Sequence, residues 1–246
     1  MKDLNAPVWQ TLSAAGNDAD TWLRRLLAGE VEFREGMEIL ADDLSHQLSW
    51  YSATAYVLPH LAALCGTLSP ADQSFLTAQM GAAIAAEAEC PLKEGTEIQR
   101  EFQEGLTALR PVVAGLIQHH MDVLTAAPAD ERQMFALSAL AVLGDRKHAY
   151  GLWYLSGSCW EEGPAACSCG WEDECVPLPS LDPAALSPWD GMALEDEAVW
   201  LSGLLSRFGD TQILPVLPLV YGSVVCPECG KRESYWTMME RYLREE

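Results

Sequence analysis

Six of the eight cysteines crowd into the last third of the chain: Cys159, Cys167, Cys169, Cys175, Cys226 and Cys229. The strongest pattern among them is Cys226-Pro227-Glu228-Cys229-Gly230. Cys-x-x-Cys sets two thiolates on one tight turn, and the trailing glycine admits a left-handed backbone there. Amides of such a turn can point at the sulfurs and soften their charge. One turn supplies two ligands, whereas structural zinc takes four in a tetrahedron. A second glycine-terminated pair, Cys167-Ser168-Cys169-Gly170, offers the other two. Similar words precede both: Tyr154-Leu155-Ser156-Gly157-Ser158 before the first and Tyr221-Gly222-Ser223-Val224-Val225 before the second. The pattern predicts two knuckles that each give two sulfurs to one Zn2+. The expected ligands are Cys167, Cys169, Cys226 and Cys229, with Cys159 or Cys175 able to stand in for Cys167 or Cys169. Four thiolates close the ion off, so the expected role is structural; catalytic zinc keeps three protein ligands and a water. A redox Cys-x-x-Cys opens a helix beside a parallel sheet, and no βαβ pattern surrounds this one. Cys65 and Cys90 fall in helical stretches and read as buried thiols.

Other chemistry is sparsely represented. The five histidines are His46, His60, His119, His120 and His148. Adjacent helical residues point about 100° apart, so His119 and His120 do not readily chelate one ion. His-Glu-x-x-His, a glycine-rich phosphate loop and Gly-x-Ser-x-Gly are all missing. The enzymatic alternative is a zinc-dependent hydrolase using His46, His60 or His119 with nearby acids; the first reading is not an enzyme.

Charge carries more information. Thirty-six acids against fifteen basic residues give a formal net charge of −21. Such a surface repels phosphate backbones and anionic lipid, which argues against nucleic acid or a bilayer and for a basic protein as partner. From His148 to Ser206 there is no Lys or Arg, and ten acids: Glu161, Glu162, Glu172, Asp173, Glu174, Asp182, Asp190, Glu195, Asp196 and Glu197. Trp153, Trp160, Trp171 and Trp189 lie among them, with Trp200 close behind. Aromatic anchors in an acidic field suit docking of a basic protein. The candidate surface is Glu161, Glu162, Glu172, Asp173 and Glu174 with Trp160 and Trp171. The plainer alternative is that the acids solvate a loop and the tryptophans fill a small core around the metal.

These groups must be held by helices. Stripes at helical spacing run through Trp22, Leu23, Leu26 and Leu27; Met37, Leu40 and Leu44; and Tyr51, Ala55, Leu58, Leu61 and Cys65. Pro59 should kink or restart the third stripe, and Pro111 should bend the helical pattern that contains it. Ser69-Pro70-Ala71-Asp72 has the form of a helix start, as does Thr96 with Gln99. The latter opens the clearest pattern: Ile98, Phe102, Leu106, Leu109, Val113, Leu116, Ile117, His120, Met121 and Leu124. A helix over 130–143 should end at Gly144. Beyond a Gly-, Pro-, Ser- and Trp-rich stretch at 156–192, a helix through Leu194, Trp200, Leu201, Leu204, Leu205 and Phe208 closes at Gly209. The apolar run 213–221 is interrupted twice by proline, and a last helix spans about 234–244. The expected fold is all-α: an α-α superhelix of HEAT-like hairpins of about 40 residues over 1–155, with a small zinc-knuckle element over 156–246.

The segment from His46 to Leu61, His-Gln-Leu-Ser-Trp-Tyr-Ser-Ala-Thr-Ala-Tyr-Val-Leu-Pro-His-Leu, resembles a stretch of bacterial HEAT-repeat-like proteins. There a His-Gln turn leads into a small-residue helix ending in an apolar-Pro-aromatic-or-His-Leu step. Leu48 stands where that pattern carries a glycine. The resemblance implies an α-α superhelix, and several such proteins carry Cys-Pro-x-Cys-Gly turns near the C-terminus. Residues 1–7 lack the apolar core of a secretory signal, and no apolar run nears the ~20 residues that span a bilayer, so a cytoplasmic location is expected. The functional expectation is a protein-binding α-solenoid with structural zinc, one form being an immunity or inhibitor protein that neutralises a basic toxin.

Overall fold

A computed structural model describes residues 1–183 and 193–245, so Trp189 and Asp190, and the side chains of Leu194 and Glu195, lie outside it. The chain divides into two compact units, Met1–Tyr150 and Gly151–Glu246. The expected division after residue 155 falls slightly late. Gly151 already packs in the second unit, where a Cβ on it would meet Met239 Cε at 2.8 Å and Trp236 Cη2 at 2.9 Å.

The first unit is helical. In order come α1 (Ala19–Ala28), α2 (Phe33–Ser45), α3 (Ala53–Cys65), α4 (Pro70–Ala85), α5 (Glu97–His119), α6 (Met121–Ala126), α7 (Ala129–Leu143) and the start of α8 (Arg146–Ser156). The caps follow from residue type. Ser69 Oγ accepts the Asp72 amide at 3.3 Å, Thr96 Oγ1 accepts that of Gln99 at 3.3 Å, and Gly144 ends α7.

Helix α3 is buried on nearly every side, Ala53 to Ala62 and Cys65 included, which marks it as a central element. Pro59 does not restart it; one helix runs from Ala53 to Cys65. A mid-helix proline costs about 3 kcal/mol, a cost offset by burial of the surrounding apolar side chains. Pro111 likewise sits inside an unbroken α5. The most extensive pairings are α3 with α5 and α4 with α7. Both rest on small residues. A Cβ on Gly105 of α5 would lie 2.7 Å from the Pro59 nitrogen and 2.8 Å from the Leu58 carbonyl carbon. A Cβ on Gly81 of α4 would come within 2.7 Å of Ser138 Cα, and the Ser138 hydroxyl reaches across to the Ala78 carbonyl at 3.0 Å. The turn before α3 is left-handed at Gln47 and Leu48, with φ of 54° and 60°. Leu48 therefore occupies a conformation that glycine adopts more easily.

The second unit departs from an all-α expectation: the chain is mostly helical, with four short strands among the described residues. After α8 come β1 (Glu162–Ala166), β2 (Glu172–Pro177), α9 (Ala193–Phe208), α10 (Ile213–Val220), β3 (Ser223–Val225), β4 (Arg232–Ser234) and α11 (Tyr235–Glu245). Strands β1 and β2 form an antiparallel hairpin with Ala166 opposite Glu172 and an irregularity between Gly163 and Ala165. Strands β3 and β4 form a second, with Val225 opposite Arg232. The proline-broken run is helix α10, started by Asp210, whose Oδ1 accepts the amides of Gln212, Ile213 and Leu214 at 2.7–3.1 Å. Its core gathers Leu155, Trp160, Val176, Leu201, Leu205, Leu217, Tyr235 and Met239. Helix α11 packs on β1 and the second hairpin, which places the tips of both hairpins within one unit.

Candidate metal centre

Each cysteine pair forms the tip of one hairpin, and the two tips are built alike. In the first, the Cys167 amide donates to the Trp171 carbonyl at 2.7 Å and the Gly170 amide to the Cys167 carbonyl at 3.0 Å. In the second, the Cys226 amide donates to the Lys231 carbonyl at 2.9 Å and the Gly230 amide to the Cys226 carbonyl at 2.9 Å. Gly170 and Gly230 have φ of 94° and 70°. A Cβ on either would meet nothing within 4 Å, so both glycines serve the left-handed backbone and not a close contact.

The tips bring together Cys167, Cys169, Cys226 and Cys229, whose sulfurs all lie within 4.8 Å of one another. Two close approaches cross between hairpins: Cys167 Sγ to Cys229 Sγ at 3.7 Å and Cys169 Sγ to Cys226 Sγ at 3.6 Å. Four sulfurs at 2.3 Å from one ion in a tetrahedron stand ~3.8 Å apart. The donor set is thus compatible with a metal site in number, type and spacing. Cys167 and Cys226 are buried, while Cys169 and Cys229 are exposed. The exposed pair lines an open pocket of about 470 Å³ with Gly170, Trp171, Glu172 and Glu228.

Electrostatics favour at least one thiolate. At Cys226 desolvation raises the pKa, but the amides of Cys229 and Glu228 aimed at the sulfur, with the Cys167 and Cys229 thiols, bring it down to about 7. Cys169 receives the Trp171 amide, which lowers its pKa, yet desolvation and its three sulfur neighbours carry it up to about 12. Cys229 receives the Lys231 amide and is also raised overall, by desolvation and the Cys226 and Cys167 thiols. Lys231 was not singled out in the sequence, although it directly follows Gly230. Its Nζ lies 3.2 Å from Ser168 Oγ and 2.5 Å from Glu233 Oε1, so one cation ties the second tip to the first.

A pH dependence follows. Below pH 7 Cys226 is protonated along with the raised thiols of Cys169 and Cys229, so an ion entering the cluster must displace several protons. Affinity therefore rises with pH and falls on acidification, by about three decades per pH unit on the acid side of 7. Competition with a chelating dye from pH 6 to 7 measures this slope; a slope near zero would mean that the thiols are not the ligands.

The remaining cysteines are elsewhere. Cys159 and Cys175 are exposed and outside the cluster, so neither replaces Cys167 or Cys169. Cys65 is buried, and burial pushes its thiol up to about 12. Cys90, expected to be buried, is exposed beyond the end of α4.

Among the described residues no histidine joins a group of three or more metal-capable side chains. His60 is buried with its Nε2 2.8 Å from the Lys2 carbonyl, and burial lowers its pKa. His46 is exposed, 3.2 Å from Asp42, and His119 is exposed at the end of α5.

The expected docking residues divide. Glu161, Glu162, Glu172, Asp173 and Glu174 are exposed on and beside the first hairpin, and Trp171 is half-buried at its tip. Trp160 is only 7% exposed and belongs to the core, so it is withdrawn from any docking surface. No helix among the described residues is long and apolar enough to cross a membrane. Compared with known protein families, with characterised proteins and with solved structures, the chain matches none.

Proposed function

We propose that this chain is a non-enzymatic, cytoplasmic protein-binding module: an α-solenoid followed by a unit stapled by one structural zinc, with an acidic face that engages a basic protein. Zinc is the ion best matched to four thiolates near tetrahedral spacing. The solenoid reading draws support from pairings between next-but-one helices: α1 with α3, α2 with α4, α3 with α5 and α5 with α7. Stacking of that kind is how helical hairpins add to a superhelix.

The observation that carries the binding reading is the acidic strip. Glu161, Glu162, Glu172, Asp173 and Glu174 are all exposed, and none forms an ion pair with Lys or Arg among the described residues. Zinc held by four thiolates adds two negative charges close by. Unpaired charge on one side steers and orients a partner of opposite sign. An immunity or inhibitor protein acting on a basic toxin such as a nuclease is one concrete form of this function.

Reversal of Glu172, Asp173 and Glu174 to lysine tests it. The strand is exposed at these positions, so thermal stability should hold. Capture of the basic protein that co-purifies from the native host should fall about tenfold or more, and its salt dependence should flatten. Undiminished capture by the reversed protein would reject the acidic face.

A further inference from the structure

Cys169 and Cys229 are exposed where a small oxidant can reach them, and each lies 3.6–3.7 Å from a buried sulfur of the opposite hairpin. We propose that the centre is a peroxide-modification site whose oxidation releases the metal and replaces it with two disulfides between the hairpins, Cys167–Cys229 and Cys169–Cys226. This rests on the zinc reading above.

The oxidant is hydrogen peroxide, a neutral molecule. The open pocket exposes Cys169 and Cys229 to it, while Glu172 and Glu228 on the same pocket disfavour anionic oxidants. An exposed thiolate attacks one peroxide oxygen; an S–O bond forms, the O–O bond breaks and hydroxide leaves, the sulfur giving up two electrons as a sulfenic acid forms. The buried thiolate opposite then attacks that sulfur, the S–S bond forms, and the S–O bond breaks with loss of a second hydroxide. For Cys169 the partner is Cys226 at 3.6 Å, and for Cys229 it is Cys167 at 3.7 Å. Two peroxides convert four thiolates into two disulfides, one zinc ion and four hydroxides, which balances atoms, charge and electrons. The cross-link then joins the hairpins that the metal joined, so the oxidised unit keeps its staple.

The experiment uses the full chain, loaded with zinc, carrying Cys90→Ser, Cys159→Ser and Cys175→Ser to remove the exposed thiols outside the cluster. Metal content is measured first, then hydrogen peroxide is titrated with a zinc-chelating dye present. After alkylation, the non-reduced protein is cut after glutamate. Cleavage at Glu162, Glu172, Glu197, Glu228 and Glu233 puts Cys167 and Cys169 on peptide 163–172, and separates Cys226 on 198–228 from Cys229 on 229–233. The expected result is one zinc released per two peroxides, with 163–172 joined to both other peptides. A link between 198–228 and 229–233, or retention of zinc under a large peroxide excess, overturns the proposal and leaves the zinc centre standing. Failure to load zinc at all removes both.

Discussion

Replacing Cys226 by serine is expected to abolish stable zinc binding and to loosen residues 151–246 while Met1–Tyr150 stays folded. Cys226 is 1% exposed, accepts amides of its own turn, and lies 3.6 Å from Cys169 across the hairpin gap. A serine hydroxyl does not ionise near neutral pH, so the variant offers three thiolates and a poor fourth donor. Structural zinc contributes about 10–16 kcal/mol in small folded sites; losing one of four ligands should weaken binding by a factor of about 1,000 or more. The mechanical consequence follows from the size of what the metal holds. Strands β3 and β4 are three residues each, and a lone two-stranded hairpin is marginal in water. Hydrogen exchange should rise through both hairpins and α11, with α3 to α5 unaffected. Cys159→Ser and Cys175→Ser should retain zinc and stability, because both thiols lie outside the cluster. Full metal occupancy and unchanged exchange in Cys226→Ser would refute the structural role.

The second large effect lies in the first unit, where two glycines of one helix should respond in opposite directions. Gly105→Ala places a methyl group 2.7–2.8 Å from backbone atoms of Pro59 and Leu58. Neither is the far end of a flexible side chain, and α3 is itself buried, so relief requires the two helices to part. The expected loss is about 2–3 kcal/mol, at the upper end for overpacking. Gly115→Ala, ten residues along α5, meets nothing within 4 Å and should gain about 0.5–1 kcal/mol from helix propensity. Chemical denaturation of the two variants measures both; equal effects would show that α3 and α5 do not meet at Gly105.

What could be read from the residues alone was whatever has a local signature. The four-cysteine cluster was legible because each pair ends in a glycine that the turn requires, and Ser69 and Thr96 mark helix starts through their own hydrogen bonds. The strands were not legible. Glu-Gly-Pro-Ala-Ala and Glu-Asp-Glu-Cys-Val-Pro carry neither alternation nor a run of β-branched residues, and their pairing is supplied by the knuckle turns and by α11. Helix α10 was hidden for the opposite reason. Two prolines signal a break, but Pro215 falls in the first turn, where a missing amide costs little, and Asp210 caps the rest. Trp160 shows the limit of composition: lying among acids says nothing of which way a side chain points. The uninterrupted α3 shows the same limit, since only the surrounding burial makes a mid-helix proline tolerable.

The central claim is that Cys167, Cys169, Cys226 and Cys229 hold one zinc ion that staples the second unit. Native mass spectrometry of the full chain, purified gently from its own host, tests it most directly, read before and after chelation alongside thermal unfolding. The account predicts one zinc per chain, lost on chelation together with the cooperative unfolding of residues 151–246. A metal-free chain whose second unit melts cooperatively, unchanged by chelator, would contradict it.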